Sequence, residues 1–199
     1  VEFMLGPYST TMTKAVAPVT EKFKVPMVEA EGASRSLFTQ GYKYMFAVLS
    51  TSEYYLAPVL DIMADKAKAM GKNPADLRIS MAFENDGFSL DVRAGVVDKA
   101  KEHGMKIVID DKLPADLSDM SATLTKTKAL KPDILLVSGH SKGAATAARQ
   151  IEEMKIDVPL IAYTHCEAAK VQEKFPKSAN GVMCPTQWLS NLPKGDDYF

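Results

Sequence analysis

The sequence predicts an α/β fold built on parallel sheets. Three observations carry that prediction. Short apolar runs of strand length alternate with amphipathic runs of helix length through most of the chain. One run, Ile134-Leu135-Leu136-Val137, is apolar without alternation, as in a strand covered on both faces. The 199 residues, 46% hydrophobic and 25% charged, have ordinary globular composition, with length for one large domain or one and a half small ones.

Taken in order, the elements begin with a strand over 1–5 and a helix over 12–23, where Val16, Val19 and Phe23 recur at helical spacing. A short strand over 26–28 precedes Gly32-Ala33-Ser34, and another covers 44–48. The span 52–70 reads as one long helix, with Leu56, Val59, Leu60 and Met63 on one face and Gly71 ending it. A strand over 77–83 leads to a helix capped by Ser89 and stopped by Gly104. Then follow strand 106–109, helix 117–129, strand 134–137, helix 142–154, strand 158–162, helix 167–174 and a last strand, 181–184. Such βα units build doubly wound sheets with helices on both faces. Ligands then sit outside the carboxyl ends of the strands. That rule selects the loops 6–11, 29–34, 84–88, 138–142 and 163–166. Ser50-Thr51-Ser52 reads as a crossing between two lobes.

Composition narrows the function classes. Formal net charge is −1, which gives no basic field for nucleic acid and no polybasic membrane patch. No apolar run approaches the roughly 20 residues of a membrane helix. There is no phosphate loop of the Walker type and no G-x-G-x-x-G after a strand, so no nucleotide or other cofactor is expected. Cys166 and Cys184 allow a disulfide in an oxidising compartment, but two cysteines make no framework, and separate, partly buried thiols are the expectation. The spacings of His140, His165, Cys166 and Cys184 match no zinc pattern, so no metal is expected either. The opening at Val1 reads as mid-strand, without a signal peptide, and the tail 195–199 reads as cut, which predicts a fragment or a processed chain.

Two constellations compete for the function. Gly6-Pro7-Tyr8-Ser9-Thr10-Thr11 joins a strand to a helix, and the unpaired N–H groups and dipole of a helix start attract a carboxylate or phosphate. The plainer account is that Ser9 or Thr10 caps its own helix. Gly139-His140-Ser141-Lys142-Gly143 fits G-x-S-x-G between a strand and a helix, the setting of a hydrolase's nucleophile elbow. An α/β-hydrolase using Ser141 is therefore an alternative, although only His165 is available as its histidine, Asp157 lies at the wrong end of the sheet for the acid, and Asp196 and Asp197 come after the histidine, in the wrong order. Tyr8, Phe88, Tyr163 and Trp188 fall near strand ends or crossings, where aromatics line pockets or fill core.

The runs GPYSTTMTKAVAPVTEKFKVPMVEAEGAS, SMAFENDGF, KPDILLVSGH and NGVMCPTQW together resemble the type I periplasmic binding proteins of the branched-chain amino acid family. The resemblance covers essentially the whole chain, in order. It implies two doubly wound parallel-sheet lobes that close on a small solute and deliver it to the membrane permease of an ABC importer. It implies a periplasmic or extracellular protein that is not an enzyme. Lobe 1 would be the incomplete span 1–48, lobe 2 the span 49–184, and 185–199 the crossing back. A truncated lobe 1 would expose strand edges and favour self-association. Carried onto this chain, the family's carboxylate site falls on Ser9, Thr10, Ala33 and Ser34, beside Tyr8. The facing lobe supplies Phe88, His140 and His165, with Trp188 on the crossing. The family's acid for a ligand ammonium is not found at Thr164-His165-Cys166, leaving amino acid and aromatic or organic acid both open. A sensor or receptor domain of the same fold is a further alternative.

Overall fold

In the computed structural model, residues 1–187 are described, apart from the side chains of Ala169 and Lys170. Two parallel sheets organise them. The small sheet has β1 (Met4–Leu5), β2 (Met27–Glu29) and β3 (Met45–Ala47) in the order β1-β2-β3, with α1 (Thr10–Phe23) and α2 (Arg35–Phe38) in its connections. A 3₁₀ turn, Ser52–Tyr54, and α3 (Ala57–Ala69) follow. The larger sheet then forms from β4 (Arg78–Glu84), β5 (Lys106–Leu113), β6 (Ile134–Ser138) and β7 (Leu160–Tyr163), in the order β5-β4-β6-β7. Its helices are α4 (Gly87–His103), α5 (Ser121–Leu130), α6 (Ser141–Glu153), α7 (Ala169–Lys174) and α8 (Pro176–Ala179).

The pleat of the larger sheet sorts its side chains into two cores. Ile79, Met81 and Phe83 of β4 and Ile134 and Leu136 of β6 pack against α3 and α4. The intervening Ala82, Leu135 and Val137 face α5 and α6 on the other side. Both central strands are covered twice, which is why β6 carries no polar alternation. Alanines and a glycine on α6 (Gly143, Ala144, Ala147, Ala148) let that helix lie close to the sheet.

Several boundaries differ from the sequence reading, each for a local reason. The span 52–70 is two elements, a 3₁₀ turn and α3, which starts at Ala57 and places Pro58 in its first turn, where the missing N–H has no partner to lose. Asp86 caps α4 by accepting from the Ser89 N–H at 2.8 Å, so Ser89 is inside the helix and not its cap. Leu117 has φ 35°, which no α-helix accommodates, and α5 begins at Ser121. β5 continues to Leu113 because it pairs with β4 as far as Glu84. The last strand reduces to one bridge, Ala162 to Met183.

That bridge also overturns the expectation of two separate thiols. Met183 exchanges backbone hydrogen bonds with Ile161 and Tyr163 on β7. Cys184 is thereby carried to Cys166, with 5.6 Å between their Cα atoms, and the two form a disulfide. Among the described residues no helix is long and apolar enough to cross a membrane.

Candidate ligand-binding cleft

The carboxyl ends of both sheets open onto one cleft, a cavity of about 570 Å³. From the small-sheet side it is lined by Tyr8, Ser9, Thr10, Glu31 and Val48, and from the other by Phe88, His140, His165 and Glu167. Tyr55 and Gln187 close it near the chain crossings.

The helix start at Ser9-Thr10 is the first wall. Ser9 occupies the cap position of α1 with extended backbone, yet its side chain makes no capping hydrogen bond. The expectation that Ser9 merely caps its own helix therefore fails. The N-terminal end of a 14-residue helix, with its partial positive charge, points into the cleft. Beneath it lies Glu29, fully buried at the end of β2. Its carboxylate accepts from Thr13 Oγ1 at 2.9 Å and from the N–H groups of Glu31 at 2.6 Å and Gly32 at 2.5 Å. A Cβ on Gly6 would lie 1.9 Å from that carboxylate, so the turn after β1 requires glycine.

Ala33 and Ser34 are placed elsewhere. Both are buried, and neither is part of the cleft wall. Ser34 donates its hydroxyl to Asp91 of α4 at 2.6 Å, and its N–H donates to Thr10 Oγ1 at 3.3 Å. They brace the cradle from behind by tying it to α4. Trp188 lies outside the described residues.

The facing wall is a ring cluster. Phe88 packs its ring 5.3 Å from Tyr55, 5.5 Å from His140 and 5.7 Å from His165, measured between centroids. The two histidines differ in state. His165 has left-handed backbone (φ 60°), and its Nδ1 lies 2.9 Å from the Gly139 carbonyl, so Nδ1–H donates there. Burial pushes its pKa down. It is therefore a neutral imidazole whose Nε2 is an acceptor. His140 is pushed the other way, by its hydrogen bond to Asp86 acting against burial. Its Nε2 lies 3.1 Å from Asp86 Oδ2, and its Nδ1 lies 2.6 Å from the Tyr8 hydroxyl across the cleft. An imidazolium there donates from both nitrogens and leaves the Tyr8 O–H to donate to a ligand.

The G-H-S-K-G loop does not form a nucleophile elbow. Ser141 is the exposed first residue of α6, and the non-glycine residues with left-handed backbone are Lys24, Leu117, Lys131, Lys155 and His165 among those described. The two glycines have a different cause. Cβ atoms on Gly139 and Gly143 would lie 2.5 and 2.6 Å from Oε1 of Glu84, whose carboxyl sits in the loop's hollow.

Among the described residues three clusters bring donor atoms within 4.8 Å of one another, but none is assigned a metal. The sulfurs of Cys166 and Cys184, grouped with Glu167, are bonded to each other. Asp61, with Glu102 and His103, already pairs with Lys99 and His103. In the third, Glu84–Asp86–His140, the imidazole is spent on Asp86.

Sequence reasoning missed Glu167, an acid one residue beyond 164–166 that lines the cleft. The left-handed turn at His165 and the disulfide at Cys166 bend the loop back so that Glu167 faces the cavity. Glu31, Tyr55 and Gln187 were also missed. Gln187 reads the backbone of the other crossing: Ser50 N–H donates to its Oε1 at 2.9 Å, and its Nε2 donates to Ser50 O at 3.2 Å and to the Tyr55 hydroxyl.

The family profile described as periplasmic binding protein matches residues 1–198. The chain belongs to the periplasmic binding proteins. The solved structures similar to it place it among those of type I architecture. A leucine binding protein of Thermotoga maritima superposes with a TM-score of 0.78 at 21% identity, covering 95% of this chain and 52% of that one. A solute binding protein of an ABC transporter from R. palustris, solved with benzoate, gives a TM-score of 0.81 at 12% identity, covering 98% and 52%. Among curated proteins, Leu/Ile/Val-binding protein homolog 8 of Brucella abortus is 23% identical over 154 residues, 77% of this chain and 38% of its own length. This periplasmic binding protein chain thus spans about half the length of those structures, and less of that curated relative.

Proposed function

We propose that the chain is the solute-capturing part of an ABC importer, working outside the cytoplasm, and that its solute is a small amino acid. The observation that carries the choice is the charge of the cleft. Among the described residues its wall holds Glu31 and Glu167 and no lysine or arginine. A carboxylate alone would enter a site with net negative charge, and a buried charge without a partner is costly. An α-amino acid brings its own cation. Its carboxylate suits the open start of α1 at Ser9-Thr10 and the Tyr8 hydroxyl. Its ammonium suits Glu167, with the acceptor nitrogen of His165 nearby. Charge-assisted hydrogen bonds contribute about 1.5–3 kcal/mol each, so three or four support micromolar affinity, about 8 kcal/mol. Phe88 and Tyr55 offer an apolar face to the side chain.

Capture follows by closure of lobe 1 (1–48) on lobe 2 (49–184), with the hinge in the paired crossings at Ser50 and Gln187. The sites of permease contact are left to the whole protein. Aromatic acids are the second reading, favoured by the ring cluster at Phe88. A thermal-shift panel separates them: L-leucine, L-phenylalanine and L-alanine against benzoate and 4-hydroxybenzoate. Stabilisation by one or more amino acids and none by the benzoates is the expected result. The reverse pattern overturns the amino acid assignment.

A further inference from the structure

One group behind the cleft wall is not used by solute capture as described. Glu84 ends β4, is 1% exposed, and its Oε2 has no hydrogen-bond partner among the described residues. A buried carboxylate oxygen without a donor is costly to keep charged, which favours uptake of a proton or a cation. The loop 139–143 is shaped around it, with glycine at both points of closest approach. The carboxyl of Asp86 is beside it, within the 4.8 Å cluster that also includes His140.

We propose that Glu84 and Asp86 share one proton, and that this proton latches the two lobes by holding His140 against Tyr8. Geometry supplies the chain of contacts. His140 starts α6 on the same loop that encloses Glu84, and it spans from Asp86 to the Tyr8 hydroxyl of the other lobe. Loss of the proton puts two negative charges in one hollow. Their repulsion displaces the loop, and the contact with Tyr8 goes with it.

The charged groups facing the latch agree with this. On its own side they are Asp86, His140, His165 and Glu167; from lobe 1 they are Tyr8 and Glu31. Among these groups only His140 is pushed towards its cationic form, and it already lies against Asp86. Burial, with Asp86 adding to it and His140 opposing it, pushes the Glu84 carboxyl up to about 8. Burial would raise Asp86 too, but the hydrogen bonds from His140 and the Ser89 N–H outweigh it and hold Asp86 below the usual carboxylate range. The proton therefore resides mainly on Glu84 and is donated to Asp86.

The latch rests on the reading of the cleft as a closing clamp, but its test needs no solute, so the two readings fail separately. Infrared spectra of the ligand-free protein are recorded from pH 6 to 10, for wild type, Glu84→Gln and Asp86→Asn. Spin labels at Lys22→Cys on α1 and Lys101→Cys on α4 report the distance between lobes. A protonated-carboxyl band present at pH 7, lost by pH 9 and missing in Glu84→Gln is expected. So is a label distance that lengthens above pH 8 in wild type, is level with pH in Glu84→Gln, and is long at every pH in Tyr8→Phe. The idea is overturned if wild type has no such band at pH 7, or if the Glu84→Gln distance follows pH as wild type does. A band that shifts on adding a chelator also overturns it, because a cation would then be the occupant. The infrared result on wild type stands even if a variant does not fold.

Discussion

Two buried glutamates end two strands in this molecule, one in each sheet, and they are treated in opposite ways. Glu29, at the end of β2, receives a hydroxyl and two backbone N–H groups, and it fastens the turns that carry Ser9 and Glu31. Glu84, at the end of β4, is as deeply buried but has a second acid for a neighbour and an oxygen with no donor. The first is held by donors and anchors a cradle. The second is a carboxylic acid at neutral pH. Burial alone does not set what a glutamate does; the donors supplied to it decide whether it is a brace or a proton store.

The largest effect expected from this contrast is at Glu29. Glu29→Ala takes the carboxylate from the N–H groups of Glu31 and Gly32 and leaves the Thr13 hydroxyl only the Pro7 and Ser9 carbonyls. It should cost about 3–5 kcal/mol, the scale for breaking a buried charged network, read as a lower midpoint in urea. A loss under about 1 kcal/mol would remove the distinction. Next, Cys166→Ser with Cys184→Ser should cost about 3 kcal/mol by releasing an 18-residue separation in the chain. It should also weaken solute binding, since Glu167 and His165 flank Cys166.

Gly139→Ala should cost about 1–3 kcal/mol by overpacking the hollow around Glu84. The same change in a Glu84→Ala background should cost much less, so a double-mutant cycle measures the contact directly. Equal costs in both backgrounds would mean that the loop is not shaped by the carboxyl.

The pH dependence is read as a slope and not as a single loss. A raised carboxyl pKa means the folded state holds a proton that the unfolded chain has released. Stability from Glu84 is therefore complete below the ordinary carboxylate pKa and falls as pH rises to about 8. The slope is at most about 1.4 kcal/mol per pH unit for one proton. His140, also raised, loses stability in the same direction. Glu84→Gln should flatten much of the decline between pH 5 and 8 in chemical denaturation. A rising curve in wild type over that range would contradict the assignment.

The fold was legible because the alternation of apolar runs with helical spacing carries the βα order, and the parallel sheet follows from connection rules. The strand-end rule then found Tyr8, Ser9, Thr10, Phe88, His140 and His165, all of which line the cleft. It failed at Ala33 and Ser34, because a loop's sequence does not say which side of it faces the cavity. It failed at Glu167 because the left-handed His165 and the disulfide redirect the loop, and neither is a local sequence pattern. The disulfide needed the Met183 bridge to bring its cysteines together. Glu84 could be seen as a nearby carboxylate, but its enclosure depends on two glycines about 55 residues away in sequence.

The central claim is that the cleft holds an amine-bearing carboxylate between the start of α1 and Glu167. Calorimetric titration with L-leucine and with 4-methylpentanoate, which lacks only the amine, tests it most directly in wild type and Glu167→Gln. The account predicts that wild type prefers leucine by about 10–100-fold, the worth of one charge-assisted hydrogen bond, and that Glu167→Gln removes most of that preference. Equal affinity for the two ligands in wild type, or an undiminished preference in Glu167→Gln, would contradict it.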